Sequence, residues 1–158
     1  SQKRFDTLCW QALKTFDPDR PVFVEGESRR IGALRVPEAL VECLREQGHC
    51  IHVEMPQPAR LQLLLQDYGH FADDTEGFCR LLDALVELRG RDTVKAWQAQ
   101  ARAGRWREVF AALLQQHYDP LYERSLRSSY RRLPQATPLP LPDAEPDTLH
   151  QAARRLTD

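Results

Sequence analysis

The sequence lacks several features that would assign a protein to a broad class at once. No apolar run approaches the ~18 residues that a membrane-spanning helix needs, and the chain does not start with a signal-peptide pattern, so we expect no membrane partner. The formal net charge is only -1 over 158 residues, which excludes a general attraction to nucleic acid and leaves a local basic patch as the alternative. The length suits one domain with its own core.

Cysteines are few and widely spaced. Cys9, Cys43, Cys50 and Cys79 form no CxxC pair, and no histidine lies at zinc-finger spacing from two of them. Each falls in a predicted apolar helix or strand, where a free cysteine behaves as a small hydrophobic residue. We therefore expect buried, reduced thiols, no metal site and a cytoplasmic location.

A glycine-rich phosphate loop of the GxxxxGK[ST] type is absent, as is any recognisable Ser-His-Asp or Cys-His arrangement. We therefore expect no complete nucleotide site, and residue spacing identifies no catalytic residue. The only methionine is Met55 and the first residue is Ser1, which leaves open that the sequence comes from a longer protein without its front part.

Hydrophobic periodicity predicts α/β structure in the first part of the chain. Helices are expected over residues 2–16 and 37–47, and short strands over residues 21–24 and 49–54. Strand, helix and strand in this order form a βαβ unit, so we expect the two strands to be parallel with a right-handed crossover. Two strands alone do not make a stable sheet, which again suggests that the chain is part of something larger.

The strand signal disappears after Glu54. Five helices are predicted up to about residue 133, the last of them capped by Asp119 with Pro120 at its first position. Residues 134–146 contain five prolines and are expected to form a linker or an extended docking strap, followed by a helix over 147–157. The predicted division is an α/β segment over 1–68, a helical region over 69–133 and a proline-rich tail over 134–158.

Charges of both signs follow the first predicted strand, where residues 22–32 read VFVEGESRRIG. Ligands of open α/β sheets bind at the carboxyl ends of the strands. There Glu25 and Glu27 could hold Mg²⁺ or a water, and Arg29 and Arg30 could contact phosphate oxygens. The alternative is a solvated loop in which these charges pair with one another. Arg60, after the second strand, could point back to the strand ends or lie on the surface.

A second polar cluster combines arginines with tyrosines near residues 118–132. Guanidinium groups and phenol rings suit RNA phosphates and stacked bases, although a solvated helical face with partly buried arginine stems is equally compatible with the spacing. The candidate RNA contacts are Tyr118, Tyr122, Arg124, Arg127, Arg131 and Arg132.

VFVEGESRRIG resembles the signature V-[FW]-V-E-x-E-S-R-x-I-G of the tRNA 2-selenouridine synthase family, which is followed shortly by a proline, here Pro37. Further similarity lies in residues 1–6, in residues 53–68 and in the YDPLY run of residues 118–122, so the resemblance covers about residues 1–130. His117 stands where the family usually has a tyrosine, and the proline-rich tail also departs from the family pattern.

The resemblance implies the later part of a P-loop NTPase-like domain. In the family, a rhodanese-like domain with a catalytic cysteine and the Walker A phosphate loop come earlier, so both would lie upstream of Ser1. Members replace the sulfur of 2-thiouridine at the tRNA wobble position with selenium, through a geranylated intermediate. The implied substrates are tRNA, selenophosphate and geranyl diphosphate, with Mg²⁺ as a further candidate.

By the same resemblance, Glu25, Glu27, Ser28 and Arg29 are the best candidates for a phosphate-handling site. The full-length protein would be a selenotransferase, and this segment alone is expected to be inactive. The alternative from a different class is a non-catalytic helical module that binds RNA or protein through the arginines and tyrosines of residues 118–132.

Overall fold

The computed structural model describes residues 1–26 and 28–157. They form an α/β structure that is mostly helical, with two small sheets. The helices are α1 (Gln2–Thr15), α2 (Glu38–Gln47), α3 (Gln57–Asp67), α4 (Thr75–Asp83), α5 (Val86–Arg89), α6 (Arg91–Arg102), α7 (Trp106–Leu113), α8 (Asp119–Ser129) and α9 (Pro146–Thr157). The strands are β1 (Arg30–Ile31), β2 (Leu34–Arg35), β3 (Ile51–Glu54) and β4 (Thr137–Pro140).

The main hydrophobic core lies between α3, α4, α6 and α7. Its buried side chains recur at helical spacing, as the sequence pattern predicts, so each of these helices turns one apolar face inward. Asp74 caps α4 by accepting a hydrogen bond from the Gly77 amide at 2.8 Å. The core consists of Leu61, Phe78, Cys79, Leu82, Val94, Trp97, Ala101, Val109 and Phe110.

Helix α8 does not begin with a cap at Asp119. A π-helical turn over residues 114–118 joins α7 directly to α8, so that Asp119 continues a helix that is already formed. Pro120 has no amide hydrogen to donate to the preceding turn, and the wider turn lies next to this missing donor. The predicted start at Asp119 is therefore a change in helical pitch.

Strand β3 pairs in parallel with β4, in a register that places Ile51 opposite Thr137 and Glu54 opposite Pro140. The predicted pairing of residues 49–54 with residues 21–24 is wrong, because residues 21–24 belong to no strand. Prolines 138 and 140 alternate with residues whose amides face β3, so the sheet keeps its donors: Thr137 donates to the Cys50 carbonyl and Leu141 to the Glu54 carbonyl. The predicted strap is therefore an edge strand.

Helix α9 packs under this sheet and forms a second, smaller core. Leu139, Leu141 and Ala152 are buried there, and Ile51 packs against them. The tail that was expected to be a linker or strap thus docks on the first part of the chain through both backbone and side chains.

Helix α1 contacts the rest of the chain mainly through β2. The Gln2 side chain donates to the Arg35 carbonyl at 2.8 Å and accepts from the Arg35 amide at 2.9 Å. None of the residues of α1 is buried, and Trp10 is 59% exposed. The sequence pattern therefore predicts the helix correctly. The apolar face that the pattern implies is not covered by other described residues.

All four cysteines are free thiols, but the expectation that they are buried is right only for Cys79. Cys43 is exposed, while Cys9 and Cys50 are partly exposed. The helices that carry Cys9 and Cys43 bury little of their surface, which accounts for the difference. Among the described residues, every helix is too short or too polar to cross a lipid bilayer.

Candidate functional site

Residues 24–26 and 28–30 form one wall of a cavity of about 550 Å³, which we call the arginine pocket. The other walls come from β2, from α2 and from the last turns of α8. Of the predicted phosphate-binding residues, Glu25, Ser28, Arg29 and Arg30 are brought together here. Glu27 lies outside the described residues. The local cluster that the sequence pattern singled out is therefore part of a real concavity.

The arginine pocket is electropositive. Among the described residues that line it, the four arginines outnumber the two glutamates, Glu25 and Glu38. Two of the arginines, Arg35 on β2 and Arg45 on α2, were not predicted as site residues. A concavity in which guanidinium groups outnumber carboxylates favours an anionic ligand, because each guanidinium offers several donors in a planar fork.

Arg45 has a donor without a partner. Its Nε is buried and has no hydrogen-bond acceptor among the described residues, while its Nη2 donates weakly to Ser129 Oγ at 3.4 Å. Buried polar groups are nearly always satisfied, so an unpaired guanidinium donor in the wall of a pocket suggests a ligand with acceptor oxygens. The sequence does carry a signal for it: Arg45 follows the buried Val41 by four residues and so lies on the same face of α2.

The turn after Ser28 is closed by its own hydrogen bonds. Ser28 Oγ accepts from the Arg30 amide and donates to the Arg30 carbonyl, both at 3.1 Å. The Val36 amide donates to the Arg29 carbonyl at 2.9 Å. Gly32 adopts a positive φ of 60° in the tight turn between β1 and β2. These bonds show that Ser28 holds the turn as well as facing the pocket.

One ion pair of the kind expected for a salt-bridged loop is present at the arginine pocket. Arg29 Nη1 lies 3.7 Å from Glu38 Oε1, and both side chains are more than half exposed. Such exposed pairs are weak, so this contact leaves Arg29 able to turn toward an anion.

Arg60 lies away from the arginine pocket. It faces a second cavity of about 1320 Å³, which we call the cleft, between the carboxyl end of β3, one side of α8 and residues 140–142. There it binds both carboxylate oxygens of Asp119, with Nη1 at 3.1 Å from Oδ2. The structure does not bring Arg60 to the other predicted phosphate residues, because residues 21–24 do not pair beside β3.

The predicted RNA-binding residues are divided by the fold. Tyr122, Arg127 and Arg131 line the cleft, whereas Tyr118 and Arg124 are exposed outside it. Arg127 Nη2 lies 3.5 Å from Glu123 Oε2 on the same helix. Arg124 has no ion pair or hydrogen bond with another described residue. The exposed face of α8 therefore keeps part of the predicted basic and aromatic character.

Arg131 and Arg132 tie the end of α8 to the end of α2. Arg131 Nη1 lies 2.9 Å from Glu46 Oε2, and the Arg131 amide donates to the Arg45 carbonyl at 3.3 Å. Arg132 Nη1 donates to the Gln47 carbonyl at 3.0 Å. Both arginines therefore connect the end of α8 to the end of α2, a contact that their spacing in the sequence did not predict.

His117, where the family motif has a tyrosine, pairs with Arg89. Arg89 Nε donates to His117 Nδ1 at 3.1 Å, and Arg89 Nη2 donates to the His117 carbonyl at 3.2 Å. Burial, together with the neighbouring Arg89 charge, lowers the pKa of His117. The imidazole is therefore held neutral as an acceptor in the π-helical turn.

Tyr130 lies between the arginine pocket and the cleft and lines both. Its hydroxyl donates to the Gly26 carbonyl at 2.6 Å. Burial raises the pKa of the Tyr130 hydroxyl, so the group stays protonated and remains a donor. Among residues 1–26 and 28–157, no group of three or more His, Cys, Asp and Glu side chains is arranged to hold a metal ion.

The family comparison matches the part of the chain that builds most of the arginine pocket. The family model for the tRNA 2-selenouridine synthase AAA domain matches residues 1–84, just over half of the 158 residues. The chain belongs to this family. The match contains residues 24–45 with all four pocket arginines, while the YDPLY run lies beyond it. Comparisons with curated proteins and with solved structures found no match.

Membership confirms the resemblance seen at VFVEGESRRIG. It gives the chain a function related to that of tRNA 2-selenouridine synthases, which places it in a family of tRNA-modifying enzymes concerned with selenium.

Proposed function

We propose that the chain serves a tRNA 2-selenouridine synthase by binding a phosphate group of one of its substrates in the arginine pocket. One observation carries this proposal: the buried Arg45 Nε has no acceptor, in a cavity where four arginines outnumber two glutamates among the described residues. Family membership supports it, because the matched residues include the whole arginine set.

The roles of the pocket side chains follow from their contacts. Arg45 and Arg35 offer donors from the regular elements α2 and β2, and Arg30 offers another from the adjoining β1. Arg29 is shared between Glu38 and the ligand. Glu25, together with Glu27, is proposed to hold a water or Mg²⁺ beside the phosphate, since carboxylate oxygens suit that cation.

The proposed reaction is that of the family. Sulfur in 2-thiouridine at the tRNA wobble position is replaced by selenium through a geranylated intermediate, with selenophosphate and geranyl diphosphate as substrates. Both donors carry phosphate groups, so either could occupy the arginine pocket. The sequence contains no GxxxxGK[ST] loop, and we propose that this loop and the rhodanese cysteine are supplied by other parts of the protein. This segment alone is then inactive.

The tRNA contacts are proposed for the exposed face of α8 and for the cleft beside it. Tyr118 and Arg124 are exposed, and Tyr122 and Arg127 reach the cleft. Arg131 and Arg132 contribute less, because their guanidinium groups already bind the end of α2.

The test is selenation by the complete protein, measured as conversion of 2-thiouridine to 2-selenouridine in tRNA by mass spectrometry of nucleosides. Arg45→Gln should lose roughly 10-fold or more of the activity, the effect of removing a charged hydrogen bond. Arg107→Gln, on the exposed surface of α7 and outside both cavities, is the matched control. Equal activities for the two variants would contradict the phosphate role of the pocket.

A second candidate function is a non-catalytic RNA-binding module. The observation that favours it is that Tyr118 and Arg124 are both exposed and that Arg124 has no ion pair or hydrogen bond with another described residue. Such a module would bind 2-thiouridine tRNA and bulk RNA equally well, with a steep dependence on salt. Preference for the thiolated tRNA over bulk RNA competitor favours the synthase.

A further inference from the structure

The segment that forms the loop wall of the arginine pocket has very few anchors of its own. Val22, Phe23 and Val24 are each about half exposed and belong to no strand. Among hydrogen bonds between described residues, residues 21–26 make only one, in which Tyr130 Oη donates to the Gly26 carbonyl at 2.6 Å. Beyond this point, the turn from Ser28 onward closes on itself.

The absence of a side chain at Gly26 leaves space for this contact. A Cβ atom placed on Gly26 would lie 2.9 Å from Tyr130 Oη and 3.2 Å from the ring carbon that carries it. Real Cβ atoms essentially never approach other heavy atoms closer than 3.0 Å. A side chain at residue 26 would therefore require the Tyr130 hydroxyl to shift from its present position.

Tyr130 is itself anchored on the opposite wall of the pocket. Its amide donates to the Leu126 carbonyl at 3.0 Å, which makes it the last residue held by α8. The next residue, Arg131, donates its amide to the Arg45 carbonyl and pairs its side chain with Glu46. Tyr130 is therefore attached to the end of α8, directly before Arg131, the residue that bonds to the backbone of Arg45.

These contacts connect the two walls of the pocket through one side chain. Arg45, with its unpaired donor, lies on α2, while Glu25 lies on the loop wall. Among hydrogen bonds between described residues, residues 21–26 make only the one that Tyr130 Oη donates to the Gly26 carbonyl, and the amide of the next residue, Arg131, donates to the Arg45 carbonyl. The separation between the guanidinium and the loop therefore depends on Tyr130.

We propose that Tyr130 is a positioning residue of the arginine pocket, whose hydrogen bond to Gly26 holds the loop wall at the distance from Arg45 that a phosphate group needs. The proposal deepens the proposed function and rests on it for the ligand, while the effect of Tyr130 on the loop is independent of the ligand. Leu126, which also lines both cavities, has no polar group that could replace this bond.

The experiment compares Tyr130→Phe with the wild-type chain in two measurements. Relaxation of the backbone ¹⁵N nuclei, measured by nuclear magnetic resonance without ligand, reports the mobility of the loop, and calorimetry with inorganic pyrophosphate reports the pocket. Tyr68→Phe is the matched control, because it removes the hydroxyl of a tyrosine whose ring packs on Phe71 and which lies outside both cavities. Gly26→Ala is the second variant, since its methyl group would displace the same hydroxyl.

We expect Tyr130→Phe and Gly26→Ala to lower the backbone order parameters of residues 22–26 from the range of a rigid backbone, about 0.85, toward the range of a flexible one, below about 0.6. Pyrophosphate binding should weaken roughly 3- to 10-fold, the effect of losing one neutral hydrogen bond, and Tyr68→Phe should change neither quantity. Wild-type order parameters in the Tyr130→Phe loop would overturn the positioning role. Lower order parameters in a chain whose wild type binds no pyrophosphate would support the role of Tyr130 but contradict the phosphate site.

Discussion

Arg60 and Asp119 join α3 to α8 by a bidentate ion pair, although they are 59 positions apart in the sequence. Both side chains are about two-thirds buried, so the pair is better shielded from solvent than the other arginine–carboxylate pairs of the described residues. A guanidinium that binds both carboxylate oxygens adds geometric specificity to the contact between the two helices as well as energy. The pair forms one side of the cleft.

Loss of Arg60 should therefore destabilise the chain. Arg60→Ala leaves a partly buried carboxylate without its partner, and we expect the free energy of unfolding to fall by about 1–3 kcal/mol. Urea unfolding of Arg60→Ala and of the wild-type chain measures this difference in free energy. The double variant Arg60→Ala/Asp119→Ala should be less destabilised than the sum of the single variants, since the unpaired charge is removed as well. Strict additivity would show that the pair does not couple the two helices.

The helical core offers a comparison between adjacent leucines on α4. Leu82 is 3% exposed inside the core, while Leu81 is 59% exposed. Leu82→Ala should lower the free energy of unfolding by about 2–5 kcal/mol, because it removes buried methyl groups and leaves a cavity. Leu81→Ala should change it by less than about 0.5 kcal/mol. Thermal or urea unfolding of the two variants checks the register of the helix, and similar losses would contradict it.

His117 should make the stability of the chain depend on pH. Its pKa is lowered in the native state, so the unfolded chain takes up a proton at a pH at which the native chain still holds the imidazole neutral beside Arg89. This contribution is fully present above the ordinary histidine pKa of 6.5, and it is lost as the pH falls through the lowered native value.

His117→Gln tests this linkage, because the amide oxygen can still accept from Arg89 but does not titrate. Urea unfolding between about pH 5 and 8 should show a smaller loss of stability on acidification than in the wild-type chain. An unchanged slope would assign the pH dependence to other groups.

The salt dependence of RNA binding should identify the role of α8. Arg124→Gln should lower the slope of log affinity against log salt by about 1, the effect of losing one phosphate contact. Arg131→Gln should change that slope less, because its guanidinium is engaged with Glu46. Fluorescence anisotropy with 2-thiouridine tRNA at several salt concentrations measures both. Equal changes in slope would contradict the division of the cluster.

The helices could be predicted because their signals are local. Phe78 and Leu82 repeat at the spacing of one helix face, and Pro146 with Asp147 marks the start of α9. The sheet could not be predicted in the same way. Residues 21–24 have the better strand composition, yet β3 pairs with the proline-rich residues 137–140, because alternate positions leave the necessary amides free.

The candidate site was predictable to the same extent. The charged residues Glu25, Arg29 and Arg30 cluster in the sequence, and all three line the arginine pocket. Arg45 on α2 and Tyr130 at the end of α8 come to it from distant parts of the sequence. Helix periodicity places Arg45 on the inner face of α2, but no local signal predicts the contact of Tyr130 with Gly26. The basic run that contains Arg132 suggested RNA contacts, which stay a prediction, and it gave no sign of the hydrogen bond that Arg132 donates to the Gln47 carbonyl.

The most direct test of the phosphate role is calorimetric titration of the chain with inorganic pyrophosphate, comparing wild type, Arg45→Gln and Arg107→Gln. Wild type and Arg107→Gln should bind with similar affinity, and Arg45→Gln should bind roughly 10-fold or more weakly, because it removes the unpaired donor from the pocket wall. Binding that is unaffected by Arg45→Gln, or no binding by the wild-type chain, would contradict a phosphate site in the arginine pocket.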